Sequence, residues 1–218
     1  MRHPVFDDRR SAGTQLGAVA ARLALDRPVV LGLPRGGIPV AAELARGIRA
    51  PLDAIVVRKL GVPQQPELAM GAIGEEGVVV VNDEVVRASR VDDDAFGEVV
   101  RRERDVLDRT SAAIRAVRPR EPLAGVTAVI VDDGIATGAT IRAAIEVARA
   151  NAVGRVVIAT PVAPPEVAAA LGAIADVVIC LMKPERFRSV GQWYEHFGPV
   201  SQADVLELLE RFATAGPS

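Results

Sequence analysis

Short aliphatic runs rich in Val and Ile alternate along the chain with longer stretches whose apolar positions recur every three or four residues. That alternation predicts strands and helices in turn, hence an α/β fold with a mainly parallel sheet. Leu16, Val19, Ala20 and Leu23 share one helical face and predict a helix over 13–25. The apolar run 29–33 after Pro28 reads as the first strand, and Ala41, Ala42, Leu44 and Ala45 mark a helix over 38–48. LDAIVVR at 52–58 predicts a second strand. Across 68–81, two short apolar stretches flank Gly74-Glu75-Glu76-Gly77, which reads as a β-hairpin because glycine accepts the positive φ of a tight turn.

The stretch 92–118 is dense in charge, with Phe96, Val99, Val100, Val106, Leu107 and Ile114 interleaved. It predicts one long exposed helix whose arginines and acids alternate as i,i+4 partners on a solvated face. VTAVIV at 126–131 is continuous in apolar residues, as a strand covered on both faces should be. Helices over 138–150 and 165–171 separate further strands at 155–160 and 176–181. Ser201-x-x-Asp204 signals an N-cap, and Val205, Leu206, Leu208, Leu209 and Phe212 form the apolar face of a last helix. The expected architecture is a doubly wound, mainly parallel sheet of about five strands. A hairpin and long helix over about 60–118 elaborate it, and a small C-terminal hood occupies about 183–213. With no linker or repeat visible, one domain is expected over 1–218, its core at about 28–182.

Composition narrows the function. A chain of 218 residues with 50% hydrophobic and 25% charged residues is expected to be globular. The net charge of -2 argues against nucleic acid or an anionic membrane as partner, and 3% aromatics argues against base-stacking platforms. The single cysteine, Cys180, excludes an internal disulfide and a zinc cluster; in the apolar run 177–181 it reads as a buried, inert thiol. MRHPVFDDRR carries no signal-peptide h-region, and no apolar run reaches the ~18 residues of a membrane span, so a cytoplasmic protein is expected.

The segment richest in chemistry is VIVDDGIATGAT, at 129–140. A buried strand ends in Asp132 and Asp133, and a loop of small residues then opens a helix. Ligands of open parallel sheets bind beyond the carboxyl ends of the strands. Two carboxylates placed there suit vicinal hydroxyls or a hydrated divalent cation. Ala136, Thr137, Gly138, Ala139 and Thr140 offer close backbone approach, hydroxyl donors and the positive end of a helix to an anion. Diol-binding acids followed by a phosphate cradle suit a ribose 5-phosphate. The Gly-Lys-[Ser/Thr] of a P-loop and the G-x-G-x-x-G of a dinucleotide site are both missing from this segment. Pro34-Arg35-Gly36-Gly37 stands at the end of the first strand, and Arg58-Lys59 brings two cations to the end of the next.

VIVDDGIATGAT resembles the phosphoribosyl pyrophosphate (PRPP) motif of type I phosphoribosyltransferases. Gly32-Leu33-Pro34-Arg35-Gly36-Gly37 resembles that family's pyrophosphate loop, and Arg58-Lys59 the basic pair before its flexible catalytic loop. The resemblance covers about 28–182. It implies transfer of ribose 5-phosphate from PRPP to a nitrogenous base with release of pyrophosphate, supported by Mg²⁺ and serving nucleotide salvage. It further implies catalytic roles for Asp132, Asp133, Lys59 and Arg58, with the two acids also meeting metal, in part through water. Ala136–Thr140 would hold the 5-phosphate, and Arg35, Gly36 and Gly37 the pyrophosphate, with the Pro34–Arg35 peptide cis. The hairpin and long helix would cover the site.

The segment 183–197 (KPERFRSVGQWYEHF) is similar to the base-binding region of purine-type members, which places Phe187 against the base and favours a purine-like acceptor. A hydrophobic anchor for the last helix is the other reading. Trp193 stands where the hypoxanthine–guanine branch has an Asp, and Ala136 where it has a proton-handling acid, a likeness to the adenine branch instead. Any general base must then come from elsewhere, with Glu67 and Glu195 as candidates; His196 is assigned no role. The alternative to an enzyme is a non-catalytic PRPP-binding regulator. The partners implied are PRPP and a base, with a homodimer left open.

Overall fold

The structure, a computed structural model, describes residues 5–215; the side chains of Glu67, Thr214 and Ala215 lie outside that description. Helix α1 (Arg9–Ala20) runs into a 3-10 turn (Ala21–Leu23), followed by β1 (Pro28–Gly32), α2 (Gly37–Ile48), β2 (Leu52–Ala54), β3 (Val57–Val62), β4 (Gln65–Gly74) and β5 (Val79–Val81). Then come α3 (Asp83–Ala88), α4 (Asp93–Val117), β6 (Thr127–Val131), α5 (Ala139–Ala150), β7 (Arg155–Val162), α6 (Pro165–Gly172), β8 (Val177–Met182), a 3-10 turn (Val190–Trp193) and α7 (Gln202–Ala215). The main sheet has the order β2-β1-β6-β7-β8, and its pairs are parallel: Val30 lies opposite Val129, and Val129 opposite Val157. A second, antiparallel sheet has the order β3-β4-β5.

Side chains alternate across a strand, so a sheet apolar on both faces needs helices on both. Val30, Val129, Val131, Val157 and Ala159 face the α1, α2, α4 and α7 side, where Leu16, Leu44, Leu107 and Leu209 are buried. Leu31, Ala128, Ile130, Val156 and Ile158 face the α5 and α6 side, with Ile141, Ile145 and Leu171. The expected doubly wound α/β sheet of five parallel strands is present. A third cluster joins the chain ends: Phe6, Ala12, Val162, Trp193 and Tyr194 pack together, and Val5 and Phe6 donate their backbone N–H groups to Trp193 O.

Three boundaries differ from expectation for physical reasons. The first helix begins at Arg9, because the Asp8 side chain caps Ser11 N (2.8 Å) and the Ser11 side chain answers in a reciprocal capping box. The run 52–58 is two strands: β2 stays in the main sheet, and at Val57 the chain leaves to found the second sheet, so Arg58 and Lys59 open β3 and end no core strand. The hairpin of β4 and β5 therefore has a third strand, and α3, capped by the Asn82 side chain, was not expected. The charged helix α4 is less exposed than its composition implies, since it buries Val99, Leu107, Ser111 and Ile114. Cys180 is half-buried, and its Sγ donates to Met182 O at 3.1 Å.

Candidate active site

Two loops leave adjacent parallel strands and each enters a helix. After β1, Leu33-Pro34-Arg35-Gly36 leads into α2, with the Pro34–Arg35 peptide cis as the resemblance implies. Leu33 N donates to Val131 O at 2.9 Å, which locks the loop to β6, and Gly37 N donates to Leu33 O at 3.0 Å, so the Gly37 amide expected to meet pyrophosphate is already paired within the loop. After β6, Asp132 to Gly138 leads into α5. Gly138 has φ 78, a left-handed conformation that glycine adopts without a Cβ penalty, and it is the N-cap of α5. The N-termini of α2 and α5 thus stand beyond the carboxyl edge of one sheet, a place where unpaired amides and helix dipoles favour anions.

The two acids open the second loop and stand in different surroundings. Asp132 accepts a hydrogen bond from Asp133 N at 2.9 Å; burial and then the neighbouring Asp133 charge push its carboxyl well above the ordinary aspartate range. Asp133 is engaged: Arg9 Nε donates to its Oδ2 at 2.7 Å, Tyr194 Oη donates to its backbone O at 2.5 Å, and its carboxylate abuts Gly36, where any Cβ would collide with it. Arg9 was not anticipated as a site residue. Its partner lies 124 positions away, and local sequence shows only the second residue of a capped helix start.

Arg58 and Lys59 reach the same rim from β3. Arg58 donates to Glu103 of α4 through Nε (2.9 Å) and Nη2 (2.7 Å). A cavity of about 300 Å³ is lined by Leu33, Pro34, Arg35, Arg58 and Thr140, with Ile114 and Val205 among its apolar walls. A neighbouring cavity of about 480 Å³ under the β3–β4 hairpin shares Arg58 and Thr140 with it and adds Lys59. The structure therefore brings the Pro34–Arg35 loop, the basic pair and the first turn of α5 to shared cavities. Among the described residues, no three His, Cys, Asp or Glu side chains gather in a metal cage.

Phe187 is half-buried and packs against the cluster containing Trp193 and Tyr194. The 3-10 turn beside it presses Val190 onto Gly134, where a Cβ would clash. Glu195 and His196 are exposed, with their backbone N–H groups tied to Phe6 O and Asp7 O; the Glu67 side chain falls outside the described residues.

The sequence pattern of the phosphoribosyl transferase domain matches residues 15–187. The chain belongs to this family. Two proteins of Mycobacterium tuberculosis, MT0597 of strain CDC 1551 and Rv0571c of strain H37Rv, each provisionally named a phosphoribosyl transferase, are 51% identical to it over 216 residues, 97% of this chain. The chain spans about half the length (49%) of these curated relatives. The crystal structure of TT1426 from Thermus thermophilus superposes with a TM-score of 0.90 at 43% identity, covering 97% of this chain and 99% of that one. Arg9, Tyr194, Phe197 and Gly198 lie outside the stretch that the family pattern matches. No described helix is long and apolar enough to cross a membrane.

Proposed function

We propose that this phosphoribosyltransferase-family chain transfers ribose 5-phosphate from PRPP to a nitrogenous base and releases pyrophosphate, in nucleotide salvage. The observation that carries the reading is the cavity bordered at once by Arg35, Arg58 and Thr140. One molecule with phosphates at both ends of a ribose would span it. In this reading Ala136–Thr140 anchor the 5-phosphate at the start of α5, which fixes C1 in place. Asp132 and Asp133 accept the ribose hydroxyls and offset the positive charge that grows on the ring as the C1–oxygen bond breaks.

Negative charge grows on the departing pyrophosphate. Arg35, the Gly36 amide, Arg58 and Lys59 are the donors nearest its expected path, and groups aimed at developing charge lower the barrier most. Gly37 contributes by lacking a side chain where the loop packs on Val131. The β3–β4 hairpin and α4 exclude water, which protects PRPP from hydrolysis. The base nitrogen attacks C1 from the face opposite pyrophosphate, and Phe187 at the hood's edge favours a flat purine-like acceptor.

Asp132 and Asp133 offer hard oxygen donors, which suit Mg²⁺ carried in with substrate phosphates and held in part through water; among the described residues no third His, Cys, Asp or Glu joins them. When bound, that ion neutralises phosphate charge; Asp132 and Asp133 are the residues that would meet it.

The test is a pyrophosphorolysis panel: nucleoside 5′-monophosphates are supplied with pyrophosphate and Mg²⁺, and PRPP formation is measured. At least one purine monophosphate should yield PRPP. Lys59→Ala should then lower kcat by roughly 10²–10³ while PRPP affinity falls far less, because the contact strengthens only as charge develops. PRPP binding by calorimetry with no turnover on any nucleotide would leave a PRPP-binding regulator in place of an enzyme.

A further inference from the structure

Arg9 is held on three sides. Its Nε donates to Asp133 Oδ2 at 2.7 Å, its Nη1 donates to Gly198 O at 2.8 Å, and its guanidinium lies 3.9 Å from the centroid of the Phe197 ring. Only 12% of the Arg9 side chain and 14% of the Asp133 side chain are exposed, so the pair is shielded from water and unlike a surface ion pair. A planar fork resting on an aromatic face has little rotamer freedom left. Phe197 is itself fixed, stacking on Tyr194 with ring centroids 5.0 Å apart, and Tyr194 donates to the backbone O of Asp133. The first helix and the C-terminal hood, from opposite ends of the chain, therefore converge on one carboxylate.

That carboxylate belongs to the pair assigned above to the ribose. Left to itself, an aspartate beside a second, half-buried acid would swing toward solvent. Here Oδ2 is taken by Arg9 and wedged against Gly36 of the opposite loop. We propose that Arg9 is a positioning residue for PRPP transfer: it locks Asp133 in one rotamer, with Oδ2 tethered to the protein and Oδ1 left to meet a ribose hydroxyl. This inference rests on the transferase reading. Arg9 touches no reacting atom in it and acts only through Asp133. Misplacing such a group by about 1 Å costs on the order of 10²-fold in rate.

The experiment uses the full chain, as wild type, Arg9→Ala, Arg9→Lys and Phe197→Leu. Steady-state pyrophosphorolysis, PRPP calorimetry and thermal unfolding are measured on each. Arg9→Ala should lower kcat roughly 10–100-fold, with PRPP affinity changed much less. Arg9→Lys should recover part of that loss, since it keeps the charge and loses the fork. Phe197→Leu should lower kcat in the same direction by a smaller factor. Guanidinium chloride at low millimolar concentration should restore Arg9→Ala activity saturably and leave the wild type unchanged, a response that a merely structural role would not give. A folded Arg9→Ala that keeps wild-type kcat overturns the inference, as does a loss that neither lysine nor guanidinium recovers. A wild type with no turnover overturns the transferase reading and this inference together, whereas an active wild type with an unaffected Arg9→Ala overturns this inference alone.

Discussion

Arg58, at the start of β3, gives both Nε and Nη2 to a single carboxylate oxygen of Glu103 on α4, at 2.9 and 2.7 Å. The basic pair of the candidate site is thus tied to the long helix. An Arg58 that meets pyrophosphate must leave Glu103 or share itself with it. The pair is half exposed on the arginine side, with 44% of the Arg58 side chain accessible, and exposed pairs contribute roughly 0.2–1 kcal/mol. Glu103→Gln should therefore tighten pyrophosphate binding by a factor between about 1.4 and 5. Calorimetric titration of pyrophosphate into both proteins checks this, and weaker binding by the variant would show that Glu103 presents Arg58 to the ligand.

Gly138 tests the phosphate cradle. Its φ of 78 is costly for a residue with a Cβ, by roughly 1–2 kcal/mol. Gly138→Ala should turn the amides at the start of α5 and weaken ribose 5-phosphate binding about tenfold, with little loss of helix content. Equal affinity in the variant would place the 5-phosphate elsewhere.

A buried ionic cluster anchors the hairpin to the core. Arg115 of α4 donates to Asp53 (2.6 Å), to both oxygens of Glu75 (2.7 and 2.8 Å) and to Ala54 O (3.0 Å). Removing one partner of such a group leaves a buried charge uncompensated, so Arg115→Ala should cost about 3–5 kcal/mol and lower Tm by roughly 6–20 °C. Burial holds the Asp53 carboxyl above its ordinary value, against the opposing pull of Arg115. Without Arg115 that rise grows, and the folded state then binds a proton that the unfolded chain lacks. Stability is therefore lost as pH rises through that range. The deficit of Arg115→Ala, followed by thermal unfolding, should be smaller near pH 5 than near pH 7.5. An equal deficit at both would show that Asp53 is not the group left uncompensated.

Cys180 should be a slow thiol. Burial pushes its pKa up, with the Met182 backbone and the Lys183 charge opposing less strongly, so the thiolate fraction at a given pH is smaller than for a free cysteine. Alkylation by iodoacetamide near pH 8 should run several-fold slower than on an unstructured cysteine peptide. A rate equal to the peptide's would show that the thiol is not shielded.

Much of the fold is legible along the chain because it depends on periodicity. A strand covered on both faces must be apolar throughout, and VTAVIV at 126–131 satisfies that wherever its neighbours lie. The loop after it is legible for a similar reason: small residues between a strand and a helix carry their own backbone chemistry, so the acid pair and Gly138 mark a candidate anion site locally. The break within 52–58 was not legible. Ile55 and Val56 are as apolar as the strand before them, and only the pairing of β3 with β4 takes Arg58 and Lys59 out of the main sheet.

The α/β alternation, the two glycine-bearing loops after β1 and β6 and the acid pair that opens the second are written in neighbouring residues, so each is readable along the chain. The tertiary structure alone decided what those acids face. Asp132 and Asp133 are adjacent and chemically alike, yet Asp133 is held by Arg9 from the first helix and Tyr194 from the hood, while Asp132 accepts the Asp133 backbone N–H. Electrostatic environment depends on distance in space, and those partners lie 124 and 61 positions away along the chain, beyond the reach of any local pattern.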